Sequence, residues 1–394
     1  MILSLIFGLG INIINTRLLG PEQYGNLKFI QSLFNFIIPF LSLGFFTSGA
    51  RLVAQKENEN IKSHLIGGLT IWAAAISLFM IIGFYLFSYF QSSIFHNNLN
   101  ITIRMFTPFL FIFPFTVFLE ETMYGDNRIF SLSFFKFLPL LLYIFGTLLY
   151  HSRYTFTIRA AMTIQFSILA ITVIFFTLLF KPKFKDLSKV FRIIKKENSD
   201  YGFHVYIGSL AGVATVQLAG LSIGFFKGNL NVGYYYLALT SALPLTMIPQ
   251  VVGITFFKDF TCRNSIPGKL TLLTVIITSV ALIIYLLLIK RLFILLYSVK
   301  YITAVPLAYI FAFSCSIHGF GDYINKFLGA HGKGKELRNA AFVVGFINIL
   351  GYIILVKQLG IIGAAITAII ADCAYFLIML SYYVQIKKLY AAKA

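Results

Sequence analysis

The chain has 394 residues, 59% of them hydrophobic and only 11% charged, a balance that excludes an ordinary soluble domain. Its formal charge of +19 does not point to nucleic acid, because the basic residues sit in short loops beside apolar runs, where topogenic and anionic-lipid contacts account for them. Cys262, Cys315 and Cys373 lie far apart and make no zinc or disulfide spacing, so no metal or cofactor is expected.

About twelve apolar runs follow one another, at 2–19, 26–50, 64–90, 101–120, 131–150, 156–180, 201–226, 233–257, 268–290, 304–325, 337–357 and 360–386. A helix needs roughly 20 apolar residues to cross the hydrocarbon core, and most of these runs qualify. When each Lys or Arg is assigned to its nearer membrane end, 22 of the 32 fall on one side and the remaining 10 on the other. The positive-inside rule makes the richer side cytoplasmic, which places both termini there. No secretory signal is expected, since nothing basic precedes the first run and Arg17 follows it; that run is short enough for a longer cytoplasmic leader to have preceded it. The expectation is an all-α, multi-pass protein whose work lies in or across the bilayer.

The longest loop divides the chain into an N-terminal six-helix bundle (1–180), a basic cytoplasmic linker (181–200) and a C-terminal six-helix bundle (201–394). The linker's Val190-Phe191 and Ile193-Ile194 pairs suggest a short amphipathic helix on the inner leaflet. The two halves share a grammar. Gly20-Pro21-Glu22-Gln23-Tyr24-Gly25 joins spans 1 and 2, as Gly228-Asn229-Leu230-Asn231-Val232-Gly233 joins spans 7 and 8, each after a basic residue (Arg17 or Lys227). Ala160-Ala161-Met162-Thr163 recurs as Ala364-Ala365-Ile366-Thr367, Pro39 is matched by Pro249, and Pro108 by Pro306, all at nearly one offset. Two pseudo-symmetric halves in parallel orientation point to alternating access about a central site. The many Phe and Ile side chains read as mostly lipid-facing filler.

Ionisable groups within apolar runs are costly and are the candidates for function. Asp372 lies well inside the last run. Asp322 and Lys326 stand four apart near the end of span 10, where they are expected to neutralise each other. His204 in span 7 and His318 in span 10 are candidates to carry protons. Glu120 and Glu121 close span 4 at the cytoplasmic side; span 1 has no acid, only Asn12 and Asn15. No Ser/His/Asp constellation, metal-ligand cluster or phosphate-cradling loop is visible, and Gly332-Lys333-Gly334-Lys335 lacks P-loop spacing, so no enzyme is expected.

The string Thr16-Arg17-Leu18-Leu19-Gly20-Pro21-Glu22-Gln23-Tyr24-Gly25 resembles the R-x-L-G-P-E-x-[FY]-G connector of Wzx-type polysaccharide flippases, the PST family of the MOP transporter superfamily. Leu359-Gly360-Ile361-Ile362-Gly363-Ala364-Ala365-Ile366-Thr367 resembles that family's entry into its last core helices. The resemblance implies a MOP/MATE-like fold in the bacterial inner membrane. It further implies translocation of undecaprenyl-diphosphate-linked oligosaccharide repeat units (O-antigen or capsule) from the cytoplasmic to the outer leaflet. Expected partners are that lipid-linked substrate, membrane lipids and polysaccharide polymerase or assembly proteins. An anionic diphosphate calls for cationic side chains, and Arg17, Arg51, Lys136 and Arg159 are the substrate-binding candidates. Interfacial anchoring by snorkelling is the ordinary alternative for each. Asp372, His204, Asp322 and Lys326 are the coupling or intramembrane polar candidates.

A MATE-type cation-coupled exporter is the main competing reading; the lack of an acid in span 1 counts against it. A peptidoglycan-precursor flippase would be longer. A polymerase or glycosyltransferase would show a large outer loop or acidic loop motifs, and neither is present.

Overall fold

The computed structural model describes residues 2–391, with the side chains at 2–5, 204, 208–209, 211–216 and 390–391 left aside. The expected His204 therefore lies outside the described side chains. Every regular element among the described residues is helical. They fall into two compact units, Met1–Gln217 and Leu218–Ala394.

The first unit begins with α1 (Ile2–Ser42), whose backbone breaks at Gly20 (φ 73°, ψ 172°). That positive φ is open to glycine and costs other residues. Pro21 then starts the second half of α1, where its missing N–H removes a donor that has no partner anyway. Leu43 and Gly44, both left-handed, turn the chain into α2 (Phe45–Ala54), bent by 61° from α1. α3 (Glu59–Phe95) is capped by Asn58, whose side chain accepts from Asn60 N–H at 2.9 Å. α4 (Asn100–Phe106), a 3-10 turn at Thr107–Phe111 carrying Pro108, and α5 (Ile112–Gly125) form the next crossing; α6 (Ile129–His151), α7 (Ile158–Leu179) and α8 (Leu187–Glu197) complete the series. Gly125 lets α5 approach α2, since a Cβ there would meet the Ala50 carbonyl.

The second unit is built from the end of α9 (Phe203–Lys227), α10 (Asn229–Thr255), α11 (Phe257–Thr261), α12 (Gly268–Leu292), a 3-10 turn at Val299–Ala304, α13 (Val305–Ala330), α14 (Gly334–Leu359) and α15 (Ile361–Ala391). Its repeat relation to the first unit is visible in the backbone. Gly228 (φ 81°, ψ 163°) breaks the chain as Gly20 does, and a 3-10 turn adjoins Pro306 as one holds Pro108. The fold is thus all-α with two pseudo-symmetric halves.

Nine helices among the described residues are long and apolar enough to cross a membrane, ten with the bent α1–α2 pair. Dividing α1 at Gly20 and adding α9 is consistent with the expected twelve. α12 has a mean hydropathy of 2.9 over its best window, yet only 17% of that window is buried. An apolar face left that open suits lipid, not water. This is a multi-pass membrane protein.

Phenylalanine packs inside as well as facing outward: Phe130 is exposed, but Phe34 is fully buried and meets Phe84 edge-on at 5.2 Å and Phe113 at 6.0 Å between ring centroids. The linker helix α8 forms as expected, but Val190 and Ile194, four apart on one face, pack into the unit beside Gly68, where no side chain blocks them.

Candidate functional site

Inside the first unit lies a cavity of about 390 Å³ lined by both halves of α1 with α5, α6 and α7. Asn12 and Asn15 project from the first half, and Lys28, Gln31 and Asn35 from the second, at helical spacings that put each set on one face. Tyr143 of α6 and Gln165 of α7 close it. The tyrosines set the chemistry. Tyr24 OH donates to Asn12 Oδ1 at 3.1 Å and Tyr143 OH donates to Asn15 Oδ1 at 2.7 Å. With both amide oxygens occupied, the two amide NH₂ groups remain as donors. Gln31 Nε2 donates to Gln165 Oε1 at 3.0 Å, which leaves the Gln165 NH₂ as another.

Lys28 adds the charge. Its Nζ stands 5.4 Å from the Tyr24 ring centre, and among the described residues no carboxylate pairs with it. An ion of this kind costs about 2.5–3.5 kcal/mol on insertion scales, which makes Lys28 a candidate functional group. No acidic residue lines the cavity. Sequence reading counted Lys28 only as an interfacial charge. Its signal was the polar stripe Lys28-x-x-Gln31-x-x-x-Asn35 in an otherwise apolar run, opposite Asn12 and Asn15.

The four expected cationic residues lie elsewhere in the same unit, all exposed and none in the cavity wall. Arg51 Nη1 pairs with Glu197 Oε1 at 2.7 Å and its guanidinium covers the Tyr201 ring at 4.5 Å. Lys136 Nζ pairs with Glu120 Oε2 at 2.9 Å. Arg17 sits two residues past Asn15 on α1, and Arg159 in the first turn of α7.

In the second unit the acids are inside the helices. Asp372 of α15 accepts from Ser314 Oγ through Oδ2, and its Oδ1 is 2.8 Å from His318 Nδ1. The other ring nitrogen, Nε2, is 3.8 Å from Asp322 Oδ2. Tyr375 OH donates to Asp322 Oδ1 at 3.0 Å and Gln250 Nε2 to Oδ2 at 3.2 Å, while Asn325 Nδ2 donates to Tyr375 OH at 2.9 Å. The Tyr375 ring stacks on His318 at 5.0 Å. His318 therefore bridges two carboxylates held by neutral donors, an arrangement able to hold or pass a proton.

The expected Asp322–Lys326 pairing is not among the ion pairs of the described residues. Both Asp322 oxygens face Tyr375, Gln250 and His318, whereas the Lys326 stem lies over Gly253 of α10. Spacing along one helix named the wrong partner because the competing donors come from α10 and α15.

The chain's residues 1–258 match the family described as polysaccharide biosynthesis protein. None of the curated proteins compared with the chain matches it. Among solved structures, it is similar to the lipid II flippase MurJ in an inward closed conformation, with TM-score 0.78 and 17% identity, covering 98% of this chain and 88% of that one. It is also similar to an inward-facing multidrug resistance MATE family transporter of the MOP superfamily, with TM-score 0.72 and 16% identity over 98% and 96% of the two chains. At such identities the likeness speaks for the fold. The chain belongs to the polysaccharide biosynthesis protein family and has the fold of the MOP-superfamily transporters.

Proposed function

We propose that the protein is a flippase for undecaprenyl-diphosphate-linked oligosaccharide repeat units of a surface polysaccharide such as O-antigen. It carries them from the cytoplasmic to the outer leaflet of the bacterial inner membrane, with both termini cytoplasmic. The observation that carries this reading is the family match over residues 1–258. The donor-lined, acid-free cavity around Lys28 supports it, because a glycan diphosphate is both anionic and rich in hydrogen-bonding groups. The structural neighbour MurJ is a lipid II flippase, which supports the same class of activity.

In this mechanism the bundles 1–180 and 201–394, tied by the linker 181–200, exchange inward- and outward-open states. Arg17, Arg51, Lys136 and Arg159 receive the anionic head group on its way in or out. For Arg51 and Lys136 this means exchanging Glu197 and Glu120 for the substrate, a small cost because exposed ion pairs are worth about 0–1 kcal/mol. Asp372 and Asp322, bridged by His318, couple the cycle to proton movement, with Lys326 of the same unit and His204 of α9 as further polar groups.

A MATE-type exporter is the second reading, favoured by the neighbour of that description. The lack of any acid lining the cavity around Lys28 argues against a cation cargo there. Deleting the chain in its native bacterium separates the two. Lipid-linked oligosaccharide building up on the cytoplasmic leaflet with loss of surface polysaccharide is the expected result. Normal polysaccharide with raised sensitivity to cationic drugs would establish the exporter instead.

A further inference from the structure

We propose that the cavity of the first unit is an oxyanion site built on Lys28, which takes a phosphoryl group. The ammonium supplies the charge; the NH₂ groups of Asn12, Asn15 and Gln165 supply neutral donors; and Tyr24 and Tyr143 fix the polarity by occupying the two asparagine oxygens. Each tyrosine takes one lone pair of an asparagine oxygen and turns the NH₂ end of that amide toward the cavity. With a lysine in the wall and no acid among the lining residues, the charge balance favours an anion over a cation. A neutral sugar would be served by the amides alone and gives no reason for an ammonium in a membrane span. A compact point charge among converging N–H donors is a phosphate-binding arrangement, and charge-assisted hydrogen bonds are the stronger kind. A volume of about 390 Å³ falls within the range of small-molecule sites.

The phosphoryl group could come from free phosphate or from the diphosphate of a lipid-linked glycan, and only the second source rests on the flippase reading. Purified full-length protein in detergent would be titrated with inorganic phosphate by calorimetry and with undecaprenyl diphosphate by thermal shift. Lys28→Met should weaken the responding probe by about tenfold or more, and Lys28→Arg should restore binding to within about threefold. Tyr143→Phe, which frees Asn15 Oδ1, should weaken it by about threefold. Unliganded Lys28→Met should melt at or above the native temperature, because it removes an unpaired ion from a span; this separates lost binding from lost folding.

A response to inorganic phosphate identifies the free anion, and a response to undecaprenyl diphosphate alone identifies the head group; both support the site. No binding of either probe by the native protein, or equal binding by Lys28→Met, overturns it. The two proposals fail separately. Lysine-dependent phosphate binding in a protein whose deletion leaves surface polysaccharide intact keeps the site and removes the flippase. Polysaccharide loss with binding indifferent to Lys28 does the reverse.

Discussion

The two units repeat one backbone plan and fill it with opposite electrostatics. In the first, the cavity around Lys28 is lined by amides and by no acid; Glu120 pairs with Lys136, Glu197 with Arg51 and Asp126 with Lys62 and Arg128, and Glu121 faces a separate cavity of the same unit. In the second, the interior holds Asp372 and Asp322 bridged by His318. Backbone features that must repeat for the helices to bend alike do repeat, as Gly20 and Gly228 do. Side chains facing the interior are free to diverge, and in the proposed mechanism the two halves divide their labour, Lys28 with its amides taking an anion and the Asp372–His318–Asp322 group a proton.

That contrast can be broken at its strongest point first. Replacing His318 with Leu leaves Asp372 and Asp322 without their bridge, and should cost about 1.5–3 kcal/mol, the imidazole being partly exposed, read as a lower denaturation midpoint in detergent. A change under about 1 kcal/mol would mean that the two carboxylates do not depend on one another. In the first unit, Asp126 is the acid most deeply held, with Lys62 Nζ and Arg128 Nε each at 2.6 Å. Asp126→Asn should cost about 1–3 kcal/mol by weakening both charged hydrogen bonds, without altering ligand binding in the cavity. If phosphate binding falls as far as stability does, the helix-end acids and the cavity are not separate systems.

A gentler change sharpens the contrast by giving the Lys28 cavity an acid. Asn12→Asp places a carboxylate in the wall that Lys28 shares, and should reduce phosphate affinity by about tenfold, roughly 1.4 kcal/mol. Unchanged affinity would show that Lys28 and Asn12 do not act on one ligand. A matched pair of substitutions tests the shared plan. At Gly20 and at Gly228 an added Cβ meets nothing within 4 Å, so Gly→Ala at either carries only the strain of a backbone conformation that is essentially glycine's own, about 1–3 kcal/mol. Equal costs at the two sites are expected; a large difference would mean that the two breaks are not equivalent.

The membrane-spanning class, the repeat and its connectors were legible in the sequence, because apolar length and the Gly-x4-Gly strings are local properties. The family, too, was legible from the string around Gly20. Partners were harder to read. Asp372 and His318 were each singled out, but their meeting depends on α13 packing beside α15, 54 positions apart in sequence. Lys28 was passed over for the same reason: charge counting assigns a lysine near a span end to the interface, and only packing shows Asn12, Tyr143 and Gln165 around the same space. Asp322 was matched with Lys326 because spacing along one helix is visible in a sequence and donors from α10 and α15 are not.

The most direct test is reconstitution. Purified protein in liposomes carrying lipid-linked oligosaccharide on one leaflet would be assayed for substrate exposed on the other, with native and Lys28→Met protein side by side. The account requires native protein to equilibrate the leaflets and Lys28→Met to slow this by about tenfold or more. Transfer no faster than in protein-free liposomes would contradict the flippase reading, and equal rates from both proteins would take Lys28 out of it.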